Sequence, residues 1–276
     1  MSGAVISFVG MAIAGRELSD TLNTFQILAF RSLVALLITI LLVSHVGWDV
    51  VNTGRIKFHL LRNLFNFGGQ FCWFLGISLL PLAVVFALEY TTPVWTAVLA
   101  VFFLRERLHR GRIFAVFCGI IGVLIILRPG LGIINLASFI VIGAAFCYAV
   151  SYIATKSMTK TEKPLAILFY MNLIQLPLGL VPSYFSWTTP ELFDVPWILI
   201  VGMGGFFSHY CLTRSFEVAD TLTVIPLDYA RLPVIGILGY FLYNEELLVT
   251  LFLGALIIVI GNYYNLRYET SVNKPN

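Results

Sequence analysis

Ten apolar segments, each followed by a short polar or Pro/Gly connection, constrain this chain more than any motif in it. They cover residues 3–17, 23–44, 62–80, 82–104, 112–128, 136–155, 164–182, 196–212, 224–243 and 247–265. A helix rising about 1.5 Å per residue needs about 20 residues to cross a bilayer's hydrocarbon core. Backbone groups in that core must pair within their own segment, so the segments are predicted to be membrane helices and the fold all-α. Composition agrees: 59% of residues are hydrophobic and 11% charged, against about 25% charged in soluble chains. The first segment is short for a span and is expected to be a short or truncated membrane helix. It has no basic residue before it and no convincing small-residue cleavage site, so it is not a cleavable signal. No segment has the length or polarity of a soluble domain.

The formal net charge of +3 is too small to argue for a nucleic-acid partner. Cys72, Cys118, Cys147 and Cys211 sit within apolar runs without CxxC spacing; they are small buried hydrophobes, not a metal site or a disulfide framework. The basic residues instead report topology. With the N-terminus inside, the inner connections carry Arg55, Lys57, Arg62, Arg105, Arg107, Arg110, Arg112, Lys156, Lys160, Lys163 and Arg214, and the tail adds Arg267 and Lys274. The outer connections carry only Arg16 and Arg128. Positive charge stays on the cytoplasmic side of a membrane, so both termini are predicted to be cytoplasmic.

The two halves are similar. At an offset of 139 residues, Glu89-Tyr90 and Arg105-Glu106-Arg107-Leu108 align with Asp228-Tyr229 and Asn244-Glu245-Glu246-Leu247, Gly122 with Gly261, and Ala115 with Gly254. At 140, Ile27-Leu28 and Leu33 align with Ile167-Leu168 and Leu173. Five helices per half is an odd number, so the second repeat (residues 131–276) is predicted to be inverted relative to the first (residues 1–130). Inverted repeats with interrupted helices are the pattern of membrane transporters.

The run EYTTPVWTAVLAVFFLRERL, followed by GIIGVLIILRPG, resembles the end of the first repeat in EamA-type members of the drug/metabolite transporter superfamily. YNEEL followed by GALIIVIGNYY is a weaker second copy. The resemblance covers essentially the whole chain. It implies a ten-helix, basket-like carrier with a central cavity and alternating access, moving organic solutes such as amino acids and other metabolites. The first half is similar to members that import S-adenosylmethionine or riboflavin. The clipped first helix and the Asp228-x-x-Arg231 pair depart from the usual pattern.

Arg31, Glu89, Asp228 and Arg231 lie well inside predicted spans, where an unpaired charge costs about 2.5–3.5 kcal/mol on insertion scales. Each must therefore pair or face water. Arg31 and Glu89 both lie about 10 Å below the outer ends of their helices, and are predicted to pair. Asp228 and Arg231 are three apart on one helix and can pair locally. Glu89 is expected to line the cavity in its outer half, with Asp228 and Arg231 at the inverted position; the alternative is structural ion pairs that lock helices together. Pro93 cannot donate to the Glu89 carbonyl, nor Pro233 to that of Tyr229, so both prolines are predicted hinges beside an acid.

Asn63, Asn66 and Gln70 share one side of the third helix. They either face the cavity or hydrogen-bond between helices. Tyr90 and Tyr229 flank the acids and are cavity candidates. Trp95 covers a ligand or packs, and His209 relays a proton or holds a structural hydrogen bond. Gly119-x-x-Gly122, Gly202-x-Gly204-Gly205 and Gly254 permit close helix approach; the middle one lacks the spacing of a phosphate loop. The basic cluster Arg105–Arg112 is a topology anchor at the lipid headgroups.

No Gly-x-Ser-x-Gly elbow, His-Glu-x-x-His helix or nucleotide-hydrolysing loop is present in the sequence. The expectation is a secondary transporter of an amino-acid-like, amphoteric or planar metabolite in a bacterial cytoplasmic membrane. A receptor or membrane enzyme on the same scaffold is the alternative. The expected partners are the solute, the bilayer and a coupling proton or ion, for which Glu89 is the first candidate and Asp228 the next. No cofactor, metal or nucleic acid is expected.

Overall fold

The computed structural model describes residues 2–104, 110–127, 136–218, 224, 231–246 and 249–272. The described residues form helices joined by turns: α1 (Ser2–Leu18), α2 (Thr24–Val46), α3 (Ile56–Leu79), α4 (Leu82–Glu89), α5 (Thr92–Leu104), α6 (Arg110–Leu127), α7 (Leu136–Met158), α8 (Pro164–Ser183), α9 (Asp194–Val218), α10 (Arg231–Tyr243) and α11 (Val249–Val272). Local chemistry sets the ends. Asn23 accepts from the Gln26 N–H at 3.0 Å and so caps α2. Gly47, at φ 108°, turns the chain out of it. Pro164 opens α8 at a position where the missing N–H has no helical partner to lose.

Two of the differences from the predicted segments bear on the site. The predicted helix over 82–104 is broken into α4 and α5 at Tyr90 and Thr91. Further, α3 starts at Ile56 rather than 62, which draws Arg62 out of the inner connection and into the helix, where it is 2% exposed.

Helices α2, α7, α8 and α9 are long and apolar enough to cross a membrane, and α8 reaches that length with the short turn that follows it. Outward-facing Leu37, Leu41, Phe117, Leu124 and Phe241 are exposed. Large apolar side chains exposed on several helices suit a lipid solvent rather than water.

The helices pack as α1 on α9, α3 on α7, α2 on α8, α4 on α10, and α6 on α11. Exchanging the halves maps this set onto itself: the first helix of each half meets the third of the other, and the rest meet their counterparts. The α6–α11 contact shows the same exchange at residue level. A Cβ on Gly122 would fall 2.6 Å from the Gly254 carbonyl oxygen, and one on Gly261 would fall 3.3 Å from the Ala115 Cα. Gly122 aligns with Gly261 and Ala115 with Gly254, so the two contacts are the same contact made twice, as in an isologous interface.

The connections sort to two ends. At one, Thr21 donates to Asp194 Oδ1 at 2.9 Å and Gln26 Nε2 to the Thr188 carbonyl at 2.7 Å. At the other, Thr53 donates to Glu162 Oε1 at 2.5 Å and Arg55 Nη1 to Thr161 Oγ1 at 3.0 Å. These are the connections the charge pattern assigns to the outer and inner sides respectively.

Candidate functional site

The break in the ALEYTTPVWTAV stretch delivers Glu89 to the interior. Thr91 Oγ1 donates to the Leu88 carbonyl at 2.8 Å, and Thr92 Oγ1 to that of Glu89 at 2.6 Å. The hydroxyls thus satisfy carbonyls that the interrupted ladder leaves behind. The Glu89 carbonyl, to which Pro93 has no N–H to donate, is taken up by the Thr92 hydroxyl. Pro93 is the second residue of α5, in a first turn that needs no donor from it. Pro233 likewise lies in the first turn of α10 and is exposed. Asp228 and Tyr229 lie outside the described residues, as does the run Arg105–Leu108.

Glu89 is 5% exposed and accepts from two elements at once. Trp73 Nε1 on α3 donates to Oε2 at 2.8 Å, and Arg231 Nη2 on α10 donates to Oε1 at 3.2 Å. The Arg231 guanidinium lies 4.5 Å from the Phe8 ring centroid and 5.1 Å from that of Phe86, so a buried cation is held by a carboxylate and by aromatic faces. The predicted Arg31–Glu89 pair is therefore not formed. Equal depth places two charges on one plane, not side by side: α2 packs on α8 and α9, whereas α4 packs on α10 and α7.

Arg31, 0% exposed, instead donates from Nη2 to Gln175 Oε1 at 2.6 Å. An amide chain continues from there. Gln175 Nε2 and Gln70 Nε2 both donate to Asn66 Oδ1, at 2.9 and 2.6 Å, and Asn66 Nδ2 donates to Ser151 Oγ at 3.1 Å. Asn66 thus bonds between helices, the second of the two uses its position allowed. The His209 Nε2 lies 3.5 Å from Gln70 Nε2, and its ring stands edge-on to Phe8. Trp95 packs edge-on against Phe146 with centroids 5.6 Å apart. Tyr90 is 2% exposed at the helix break.

Several members of this centre escaped the sequence analysis. Trp73 was legible as an aromatic but not as the donor to Glu89. Gln175, with Asn172 one turn before it, is an amide in an apolar run, the same kind of signal that drew attention to Glu89. Arg62 was assigned to a connection; its Nε donates to Thr155 Oγ1 at 3.0 Å and its Nη1 to Asn63 Oδ1 at 2.6 Å. Beyond the centre, His59 Nε2 lies 3.7 Å from Glu162 Oε2 at the inner end. No group of His, Cys, Asp and Glu among the described residues could hold a metal ion.

The chain is similar to curated transporters over most of its length. An S-adenosylmethionine uptake transporter from Rickettsia bellii is 27% identical over 96% of this chain and 91% of its own. A riboflavin transporter from Brucella anthropi is 27% identical over 90% of each, and one from Vibrio cholerae 29% identical over 81% and 76%. A solved crystal structure superposes with a TM-score of 0.71 over 99% of both chains at 16% identity, which speaks for the fold alone. These relatives are transporters, not enzymes. The model of the EamA-like transporter family matches twice, over residues 1–128 and 135–267, and the chain belongs to that family.

Proposed function

We propose that this transporter carries an amphoteric or planar organic metabolite across a bacterial cytoplasmic membrane, with both termini in the cytoplasm. The observation that carries this is the buried Glu89–Arg231–Trp73 assembly, together with the buried Arg31 and the amide chain that continues from it. Charges of both signs, amides and aromatic rings match a solute bearing a charged group and a flat ring. S-adenosylmethionine and riboflavin, moved by relatives, both carry such a ring.

Alternating access is supported by bonds at opposite ends of the bundle. Arg16, near the end of α1, donates to the Ile77 and Leu80 carbonyls at the end of α3. Lys156, near the end of α7, donates to the Phe216 carbonyl near the end of α9 at 2.9 Å. Arg16 and Lys156 are 140 residues apart and Ile77 and Phe216 are 139 apart, the offsets of the two repeats at 1–130 and 131–276. One is an outer gate contact and the other its inner equivalent, and each must open in turn.

The test is uptake of labelled S-adenosylmethionine and riboflavin by sealed proteoliposomes. Accumulation inside the vesicles separates a carrier from a receptor that binds only, and return of unchanged solute separates it from an enzyme. With Glu89→Gln in folded protein, an unchanged rate and pH profile would remove Glu89 from coupling.

A further inference from the structure

Arg31 is a fully buried guanidinium with a neutral partner. Its Nη2 reaches Gln175, while Nε and Nη1 have no hydrogen-bond partner among the described residues. The neighbouring buried cation, Arg62, bonds only neutral groups among the described contacts, Thr155 and Asn63. Glu89 is engaged by Arg231 and Trp73 and is not shared with either. A charge withdrawn from water and left without a counter-charge is strongly unfavourable. An arginine's planar fork matches a carboxylate or phosphate with two parallel N–H donors.

We infer that Arg31 is the anchor for the anionic group, carboxylate or phosphate, of the transported solute. Two nearby features fit the rest of such a molecule. Gln70 Oε1 is a buried acceptor without a partner among the described residues, at the far end of the amide chain that holds Arg31; it suits an amine or ring N–H. Tyr148 on α7 is buried and stacks on Tyr152 with centroids 6.0 Å apart, an aromatic pair of the kind a flat ring packs against. This inference rests on the carrier function proposed above.

The test uses purified protein in lipid nanodiscs and two pairs of probes: S-adenosylmethionine with its decarboxylated form, and flavin mononucleotide with riboflavin. The wild type is expected to bind the acid-bearing member of at least one pair about 10-fold more tightly, as a charge-assisted bond would give. Arg31→Gln should erase that preference. Gly205→Ala is the second variant: its new Cβ would fall 2.9 Å from Arg31 Nη1 and 3.0 Å from Cγ, displacing the guanidinium while keeping its charge. It should weaken the acid-bearing probe and spare the counterpart that lacks the acid. Absence of preference in the wild type overturns the inference, as does a preference that survives Arg31→Gln. If Arg31→Gln does not fold, an unchanged preference in Gly205→Ala overturns it. Probes that cross vesicles without any Arg31-dependent preference leave the carrier function standing and remove the anion site; probes that neither bind nor cross remove both.

Discussion

Glu89 accepts from an indole and a guanidinium at once, so a structural and a functional role overlap on one carboxylate, and substitution can separate them. Removing one partner of a buried ion pair costs about 3–5 kcal/mol because the other charge keeps its desolvation cost. Glu89→Gln should therefore lower the unfolding midpoint sharply. Trp73→Phe removes the donor to Oε2, a hydrogen bond to a charged group worth about 1.5–3 kcal/mol, and also leaves a void where the buried indole packed, so it too should lower the midpoint. The informative protein is Glu89→Gln combined with Arg231→Met. Replacing both members of a buried pair by neutral groups is often tolerated, so stability should return in part while vesicle uptake stays lost. Uptake at the wild-type rate in the double variant would mean the pair holds helices together and does nothing else.

The break between α4 and α5 is a property of an element, and its chemistry lies in threonines more than in the proline that announces it. Thr92→Val leaves the Glu89 carbonyl without its hydroxyl donor and should cost about 1–3 kcal/mol, the desolvation cost of an unsatisfied buried group. Pro93→Ala, in a first turn, loses only the fixed φ and should cost about 0.4–1 kcal/mol. Thermal unfolding of the two variants side by side checks the order, and a larger effect at Pro93 would restore the proline-hinge account. Pro93 marked a hinge within one helix over 82–104, but the run gave no sign that the helix breaks at Tyr90 and Thr91 or that hydroxyls three residues downstream would repair the ladder. The same limit explains the site. Apolar length reveals ten segments and their depth, which is one coordinate; it carries no information about lateral neighbours. Arg31 and Glu89 were therefore matched by depth, whereas helix packing joins Arg31 to Gln175 and Glu89 to Arg231. Glycines were more legible, since a missing side chain has meaning wherever helices meet. Gly122→Ala would press a Cβ toward the Gly254 carbonyl at 2.6 Å, and should destabilise the α6–α11 contact by about 1–3 kcal/mol, the usual cost of overpacking.

At the scale of the whole molecule, the pairing of helices is unchanged by exchanging the halves, and the two end contacts proposed as gates are exchanged by the same operation. Arg16 holds carbonyls at the end of α3 at one end of the bundle, and Lys156 holds one near the end of α9 at the other. Both bonds are present in this structure, one at each end. A carrier that opens one end at a time must break them separately, and the bonds then set the balance between the outward-open and inward-open states. Each is a charged donor on a carbonyl, worth about 1.5–3 kcal/mol, so its loss should shift that balance by about 10- to 150-fold. Spin labels at Ser19 and Ser78 report the outer end, and labels at Ser157 and Val218 the inner end. Arg16→Ala is expected to lengthen the outer distance and leave the inner one short; Lys156→Ala should do the reverse. Both variants should slow vesicle uptake, because a carrier that accumulates in one state turns over less often. If either substitution opens both ends together, the contacts are not alternating gates and the bundle moves in some other way. If neither distance changes, the bonds are incidental to the cycle and the equivalence of the two repeats stops at packing.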